Sequence, residues 1–165
     1  GGGDILRLIS HWLEKKEINA ELIGFDANPH IIDFARKHPH QKNINYQSVN
    51  IFSDNFKAQK FDIVVSTLFF HHFTSDQLAS FLSQLRSQTN VGIVINDLHR
   101  HWFAYYSIKW LTALFSKSSM VKNDAPLSVA RSFRKKDWIE ILEKAGIENY
   151  TMRWMWAFRW QIIIN

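Results

Sequence analysis

The sequence predicts an α/β protein built on a doubly wound, mostly parallel sheet. Short apolar strand-like runs alternate along the chain with stretches of helical apolar periodicity, which is the order of a βα repeat. Two of the strand-like runs are almost continuously apolar, as in strands that are buried on both faces. A closing segment rich in aromatic and branched residues favours an antiparallel hairpin. The 165 residues are enough for one domain with a sizeable core, and we expect a single domain over 1–165.

The first elements follow a run of three glycines. In "GGGDILRLISHWL" the apolar residues recur at helical spacing directly after the glycines. "AELIGFDANPH" predicts a short strand ending at Asp26, and Pro29 opens a second helix over about 29–38. "NINYQSVNIF" predicts the next strand, which reaches Asn50.

The middle of the chain repeats the same alternation. "KFDIVVSTLFF" predicts a strand buried on both faces, and "VGIVINDLH" predicts another buried strand. Between them, Thr74 and Gln77 have the spacing of a capping box, so a helix is predicted to begin there. Ligands of such folds bind at the carboxyl ends of the strands.

The alternation changes after His99. "RHWFAYYSIKWLTALFSKSS" is a helical stretch with aromatic residues around most of its circumference, and we expect an inserted helical cap over about 99–130. "MVKNDAPLSVARS" is predicted to be a loop. "KKDWIEILEKAGI" predicts a helix that ends at Gly146. "NYTMRWMWAFRWQIIIN" predicts the terminal hairpin.

Composition excludes several classes of function. The chain has no cysteine, which rules out disulfides, thiolate metal sites and cysteine nucleophiles and fits a cytoplasmic protein. No apolar run reaches the roughly 18 residues of a membrane-spanning helix. The net charge is +5, but the basic residues are dispersed. The one compact cluster, Arg131, Arg134, Lys135 and Lys136, is typical of a solvated face, so nucleic acid is only a minor alternative as a partner.

The glycine run and Asp26 have the separation of a nucleotide-binding motif. Glycines at a terminus are often cloning remnants. Here, however, a helix follows them at once and an acid ends a strand on the order of 20 residues later, the distance that brings a carboxylate to a ribose hydroxyl. This spacing favours a binding loop.

Together, the glycine loop before a helix, "GFDANP", "SVNIF", "FDIVVSTLFFHHF" and the closing hairpin resemble the class I S-adenosylmethionine-dependent methyltransferases. The chain is most similar to the small-molecule group related to quinone-biosynthesis methyltransferases. The resemblance implies a Rossmann-like sheet, S-adenosylmethionine as cofactor and a small-molecule acceptor.

The resemblance also implies which residues bind the cofactor. The loop beneath the methionine and ribose matches Gly1, Gly2 and Gly3. The ribose-binding acid matches Asp26, with Ala27 beside it. The adenine contacts match Asn50 and Ile51, although an aspartate is commoner where Asn50 stands. The stretch that lines the methionine end matches Ser66, Thr67 and Leu68.

The chain departs from the family pattern at its start. The family's first strand, and the acid that usually precedes the glycines, are not in this sequence. Because that strand is central in the fold, its loss leaves two neighbouring strands without ladder partners. We therefore expect this chain alone to bind the cofactor weakly.

Two pairs of polar residues follow the predicted strands. His71 and His72 lie just beyond one strand, where an oxygen acceptor would need a base near neutral pKa. In an extended segment only one of them would face the site, and the alternative is that one is packed and hydrogen-bonded while the other is solvated. Asp97 and His99 border the same crevice as candidate acceptor contacts, although an acid there more commonly caps the following helix. No metal site is expected.

The aromatic residues of the cap, with Trp102 and Tyr106 as candidate acceptor contacts, allow three interpretations. The first is packing over the sheet. The second is a lid over an apolar pocket, which implies a phenol, quinone precursor or polyketide as acceptor of an O- or C-methylation. The third is peripheral contact with a membrane surface, aided by Lys109 and Lys117.

Two other functions compete with methyl transfer. Tyr105 and Lys109 form a Tyr-x-x-x-Lys pair, as in NAD(P)-dependent short-chain reductases, but that family's strand-end Asn-Ala-Gly element is not present in "STLFFHH". The other alternative is a methyltransferase-like domain that binds a partner without catalysis.

Overall fold

The computed structural model describes residues 2–37 and 44–165. The chain divides into two compact units, Gly1–Gln59 and Lys60–Asn165.

Over residues 2–37 and 44–59, the first unit contains three helices and a two-stranded parallel sheet. In chain order the elements are α1 (Asp4–Lys15), β1 (Leu22–Asp26), α2 (Pro29–Arg36), β2 (Ile44–Ser48) and α3 (Asp54–Lys57). The strands pair in register from Leu22 opposite Ile44 to Asp26 opposite Ser48, so their carboxyl ends lie side by side.

The core of the first unit forms where α1 and α2 cover β2. Tyr46, at the centre of β2, is buried together with Ile32 and Ala35 of α2, and Leu6 of α1 packs against this cluster. Alternation along β2 turns Tyr46 inward while its neighbour Asn45 is exposed.

The second unit contains a mixed four-stranded sheet with the strand order β3-β4-β6-β5. Its strands are β3 (Phe61–Thr67), β4 (Thr89–Leu98), β5 (Tyr150–Met155) and β6 (Arg159–Ile164). The β3 and β4 strands are parallel, whereas β6 runs antiparallel to both β4 and β5. Because β3 and β4 are parallel, their carboxyl ends, Thr67 and Leu98, lie at the same end of the sheet.

Helices complete the second unit. A 3₁₀ turn (Phe70–His72) and α4 (Ser75–Gln88) connect β3 to β4, and α5 (Trp102–Phe115), α6 (Ser119–Arg131) and α7 (Lys135–Lys144) connect β4 to β5. The helix α7 packs against α4, and α6 packs against α5 and the 3₁₀ turn. The core centres on Trp138, Leu82 and Ile95, none of which is exposed.

Several predicted elements are confirmed. The helix α4 begins at a capping box in which the Thr74 and Gln77 side chains and backbone N–H groups bond reciprocally. The helix α7 is followed by Gly146 in the left-handed conformation, with φ of 70°. The terminal antiparallel hairpin is formed by β5 and β6.

Three predictions are wrong. The described strands form two sheets with as many antiparallel as parallel pairings, rather than one mostly parallel sheet. The strand β3 is not buried on both faces, because Ile63 and Val65, which share one face, are 58% and 42% exposed. The predicted loop around Pro126 is the helix α6, whose N-cap is Ser118, and the Ser118 hydroxyl accepts from the Val121 N–H.

The burial of α6 residues explains how a proline is accommodated within that helix. Pro126 and Val129 are both buried where α6 packs on its neighbours, so packing offsets the backbone hydrogen bond that proline cannot make. In the part of the chain that the structure describes, no helix is long and apolar enough to cross a membrane.

Candidate active site

The glycine turn at the start of α1 requires glycine for two reasons. Gly2 and Gly3 have φ values of 63° and 80°, in the left-handed region that side chains disfavour. In addition, a Cβ on Gly3 would meet the Tyr46 hydroxyl and lie 2.9 Å from Tyr46 Cζ. Gly3 occupies the N-cap of α1 with no side-chain cap, so backbone N–H groups open onto this turn. Gly1 lies outside the described residues.

Asp26 stands at the carboxyl end of β1 and is half-buried. Its Oδ1 accepts a hydrogen bond from the backbone N–H of Asn28 at 2.8 Å. Asn28 in turn caps α2 by accepting from the His30 N–H at 2.9 Å. The second oxygen, Oδ2, receives no hydrogen bond from the residues that the structure describes, and Ala27 beside it is exposed. One carboxylate oxygen is therefore fixed by the turn and the other is available to a hydroxyl.

The end of β2 lies beside Asp26. The Val49 N–H donates to the Asp26 carbonyl at 3.1 Å, which continues the pairing past the end of the strand. The Asn50 side-chain oxygen accepts from the Phe52 N–H at 3.0 Å, so its amide NH₂ remains as the donor. Asn50 is exposed and Ile51 is half-buried. In the first unit, Asp26 and Asn50 therefore lie at or just beyond neighbouring strand ends, and Gly3 of the glycine turn lies against Tyr46 of β2.

In the second unit, Ser66 and Thr67 end β3 and Leu68 follows in the left-handed conformation, with φ of 52°. Its N–H donates to the Asn96 carbonyl of β4 at 2.9 Å, and its side chain is 41% exposed. A branched side chain in this conformation carries a conformational cost, so the surrounding contacts hold the turn.

Asp97 is the centre of a buried hydrogen-bond network at the ends of β3 and β4. It is 1% exposed, and its Oδ2 accepts backbone N–H groups of Phe69, Phe70 and His71 at 3.2, 2.6 and 3.2 Å. Its Oδ1 accepts from the Leu98 N–H at 2.7 Å and lies 2.8 Å from His71 Nδ1. The expectation that Asp97 caps the following helix is wrong, since the carboxylate holds the 3₁₀ turn that follows β3. Both of its oxygens are engaged, so it is not available to an acceptor.

The two adjacent histidines differ in environment. His71 is 5% exposed, whereas His72 is exposed, and their ring centroids are 4.3 Å apart. They lie on a 3₁₀ turn and not on the extended segment that the sequence suggested. Partial burial, with a smaller effect of the neighbouring His71 and of Arg131, lowers the pKa of His72 below its usual value, against the opposing field of Asp97.

The geometry also fixes a proton on His71. Because a carboxylate oxygen only accepts hydrogen bonds, His71 Nδ1 carries a proton directed at Asp97. In the neutral ring, Nε2 then has the free lone pair.

His99 lies just beyond β4, half-buried against aromatic rings. Its ring centroid is 4.9 Å from Trp160 and 5.5 Å from His101. Its Nδ1 is buried and has no hydrogen-bond partner among residues 2–37 and 44–165. Partial burial, followed by the nearby His101 and Arg134, lowers the pKa of His99.

The helix α5 exposes most of its large apolar residues, so the packing interpretation of the predicted cap is wrong. Only Ala104 and Thr112 are buried. Trp102 is 69%, Tyr106 is 54% and Trp110 is 68% exposed. The insertion and the boundaries of a cap over 99–130 stay a prediction.

Sequence reasoning missed two partnerships. It did not pair His71 with Asp97, although both follow neighbouring parallel strands, and that adjacency was the available signal. It also missed Tyr46 as the side chain that the glycine turn covers, which the alternation along β2 indicates. Within the described ranges, no group of three or more histidine, aspartate or glutamate side chains is arranged to hold a metal ion.

Comparison with known proteins identifies the family. A family model described as "Methyltransferase domain" matches residues 1–92, which span the glycine turn, Asp26 and the strands through the start of β4. The chain belongs to this methyltransferase family. This family match agrees with the resemblance of the motifs to class I S-adenosylmethionine-dependent methyltransferases. It argues against the alternative of a short-chain reductase, which was based on Tyr105 and Lys109. A search of curated proteins finds no match.

Solved structures agree with this family in fold. The plantazolicin methyltransferase BpumL, in complex with a triazolic analogue and S-adenosylhomocysteine, is 19% identical with a TM-score of 0.73, covering 99% of this chain and 72% of that chain. The magnesium protoporphyrin IX methyltransferase ChlM from Synechocystis PCC 6803, with S-adenosylhomocysteine bound, is 14% identical with a TM-score of 0.55, covering 88% of this chain and 63% of that chain.

A third solved structure, described as a pericyclic reaction enzyme, is 16% identical with a TM-score of 0.65 and covers 99% of this chain and 41% of that chain. The fold therefore hosts more than one chemistry, and the family match carries the assignment. The family model assigns a methyltransferase domain to this chain, and S-adenosylhomocysteine is the ligand named for the two methyltransferases of similar fold.

Proposed function

We propose that this methyltransferase transfers the methyl group of S-adenosylmethionine to an oxygen of a small apolar or aromatic acceptor, with His71 as the general base. The acceptor class is that of the small-molecule group related to quinone-biosynthesis methyltransferases. The observation that carries the proposal is the buried His71–Asp97 pair, because it directs one proton and one lone pair of the imidazole in a defined way.

The first unit supports binding of the ribose and adenine ends of the cofactor. Asp26 Oδ2 is available for a ribose hydroxyl, and the Gly2–Gly3 turn brings backbone close without side chains in the way. The Asn50 amide NH₂ remains a donor for a ring nitrogen of adenine. Ala27 and Ile51, which flank these groups in the sequence, complete the proposed contacts.

The second unit supplies the remaining proposed residues. Ser66, Thr67 and Leu68 are the proposed contacts of the methionine end. The turn at Leu68 exposes its side chain and ties its N–H to β4, so these strand-end residues are held in place.

The reacting groups have separate tasks. S-adenosylmethionine supplies a methyl group already activated on a sulfonium, so the protein mainly aligns and desolvates the acceptor. His71 Nε2 would take the proton that the acceptor hydroxyl loses as its oxygen bonds the methyl carbon, while the methyl–sulfur bond breaks and the neutral thioether S-adenosylhomocysteine leaves. Asp97 stabilises the resulting imidazolium and keeps Nδ1 protonated, as a positioning residue.

Acceptor binding is assigned to the aromatic residues beyond β4. Trp102 and Tyr106 expose apolar area at four-residue spacing on α5, and His99 lies between β4 and that helix. Two fold neighbours are named for the acceptors plantazolicin and magnesium protoporphyrin IX. Both names are consistent with an organic acceptor that needs an apolar surface. Asp97 is no longer a candidate acceptor contact, because it is buried and fully bonded.

Calorimetric titration of S-adenosylhomocysteine tests the cofactor site. Asp26→Ala should weaken binding by about 1 to 3 kcal/mol, the effect of leaving a polar partner unpaired. Asp33→Ala is the matched control, because Asp33 is an aspartate on α2 whose side chain is 60% exposed. Equal affinity of the Asp26 and Asp33 variants would exclude Asp26 as the ribose ligand.

Transfer of labelled methyl groups to a panel of phenols and quinone precursors tests the base. His71→Gln should lower kcat by about 10²-fold or more. His72→Gln is the control on the same turn. If His71→Gln reduces stability but leaves kcat per folded molecule unchanged, His71 is structural and the proposal of a base fails.

A further inference from the structure

We propose that the exposed face of α5, together with the tip of the β5–β6 hairpin, is a docking surface for an anionic lipid bilayer. The inference goes beyond the proposed methyl transfer and does not depend on it. It rests on three features of the second unit. Aromatic side chains are exposed along α5, the hairpin tip lies close to α5, and the charged side chains in residues 98–123 and 149–165 are all basic.

The apolar area on α5 lies opposite its packed side. Trp102, Tyr106, Trp110 and Leu114 follow one another at four-residue steps, which places them in one row along the helix. Leu114 is 71% exposed and Phe115, at the end of the helix, is 80% exposed. A surface helix ordinarily has a polar outer face, and α5 does not. Tryptophan and tyrosine favour the boundary between lipid headgroups and acyl chains.

The hairpin tip extends this surface beyond the first turn of α5. The Phe158 ring centroid lies 5.8 Å from Phe103 of α5, and the Phe158 carbonyl accepts from the His99 N–H at 2.8 Å. Trp156, at the tip, is 87% exposed. Ala157 and Phe158 both hold positive φ, 61° and 54°, without being glycine. The tight turn therefore presents a tryptophan outward next to the aromatic row.

The charge on this surface has one sign. Residues 98–123 and 149–165 contain no aspartate or glutamate. Lys109 follows Tyr106 by three residues and Trp102 by seven, so it borders the aromatic row. Lys117 lies just after the end of α5, and Lys122 lies in the first turn of α6. All three lysines are exposed. Arg100, in contrast, forms an ion pair with Asp137 of α7, so we do not include it among the basic residues of this surface.

This combination identifies an anionic membrane as the occupant. Aromatic side chains provide the apolar contact, and lysines at the border meet the negative headgroups, each contributing to binding within a Debye length of the surface. A second copy of the chain would bring the same basic border against itself, which is repulsive.

Co-sedimentation of the purified protein with vesicles is the test. We expect binding to vesicles rich in phosphatidylglycerol, much weaker binding to phosphatidylcholine alone, and loss of the difference at high salt. Lys109→Gln with Lys117→Gln should weaken binding to anionic vesicles by about 25-fold, at roughly fivefold per lysine. Lys135→Gln, at an exposed lysine of α7, should leave it unchanged.

The apolar contact has its own variants. Trp110→Ser with Phe115→Ser should weaken partitioning by at least about tenfold, and brominated acyl chains should quench less tryptophan emission in this variant. Ile139→Ser, at a 41% exposed residue of α7, is the matched control. Circular dichroism of each variant reports whether its helices are retained.

Three results would overturn the proposal. The first is that the protein binds neither type of vesicle. The second is that it binds vesicles but neither pair of substitutions weakens the binding. The third is that it binds no vesicle and forms a dimer in solution that Trp110→Ser dissociates. The last result would assign the surface to a second copy. None of these depends on methyl transfer, which is measured separately.

Discussion

We predict that removing the negative charge of the buried Asp97 carboxylate destabilises the fold of this methyltransferase. Asp97→Asn replaces one oxygen by an NH₂ group while keeping shape and volume. In its best placement the amide oxygen stays at the Oδ2 position and retains the three backbone N–H groups of residues 69–71. The NH₂ group then faces the Leu98 N–H and His71 Nδ1. His71 can shift its proton to Nε2 and accept, but the Leu98 N–H is left facing another donor.

The cost follows from these contacts. One buried donor without a partner costs about 1 to 3 kcal/mol, and each remaining bond loses the advantage of a charged acceptor, about 1 kcal/mol. Part of this is offset because a neutral amide costs less to bury than a carboxylate. We expect Asp97→Asn to lower the free energy of unfolding by about 2 to 4 kcal/mol, which is a large part of a typical 5 to 15 kcal/mol.

Urea denaturation followed by tryptophan fluorescence measures this loss. The matched control is Asp62→Asn on β3, because Asp62 is exposed and accepts only a side-chain bond from Asn90 at 3.0 Å. That control should lose less than about 0.5 kcal/mol. Similar losses in the two variants, or a loss below about 0.5 kcal/mol in Asp97→Asn, would refute the role assigned to the network.

Three further predictions concern stability. Gly3→Ala should lower the free energy of unfolding by about 1 to 3 kcal/mol more than Gly146→Ala does. Both positions have positive φ, but only at Gly3 does the Tyr46 ring stand where a Cβ would be. Equal losses of stability for the two variants in urea denaturation would contradict this explanation. Thr74→Ala should cost about 1 kcal/mol through loss of the capping box, whereas Ser80→Ala in the middle of α4 should cost nothing, and circular dichroism with urea compares them. The lowered pKa of His99 means that the unfolded chain binds more protons, so stability should be complete above the ordinary value of 6.5 and fall as the pH drops below it. His99→Gln should flatten that fall between pH values on either side of 6.5, and an unchanged slope would exclude His99 as a source.

Local chemistry was sufficient for the parts of the fold that depend on near neighbours. Thr74 and Gln77 begin α4 through bonds across three residues, and Gly146 follows α7 because its φ is positive. The terminal hairpin was predicted from strand propensity alone. The glycine turn and Asp26 were singled out from their spacing, and in the first unit the turn precedes α1 while Asp26 ends β1.

Elements whose state depends on packing were not predictable in this way. Pro126 argued for a loop, and its helix forms because burial with Val129 outweighs the lost hydrogen bond. The apolar run of β3 predicted burial on both faces, whereas Ile63 and Val65, on one face of that strand, are exposed. The pattern of apolar residues in a sequence indicates which side chains favour burial. Whether another element of the fold covers those side chains depends on tertiary packing.

Spacing and composition were enough to indicate the family of this protein, the order of most helices and strands, and the chemical types at the strand ends, because those properties are local. The bonds from Asp97 to His71 and to the turn after β3 could be found only in the folded chain, because the two residues are 26 positions apart and meet through the parallel pairing of β3 and β4. It also decided that the aromatic helix α5 is exposed, since burial depends on where the rest of the chain packs.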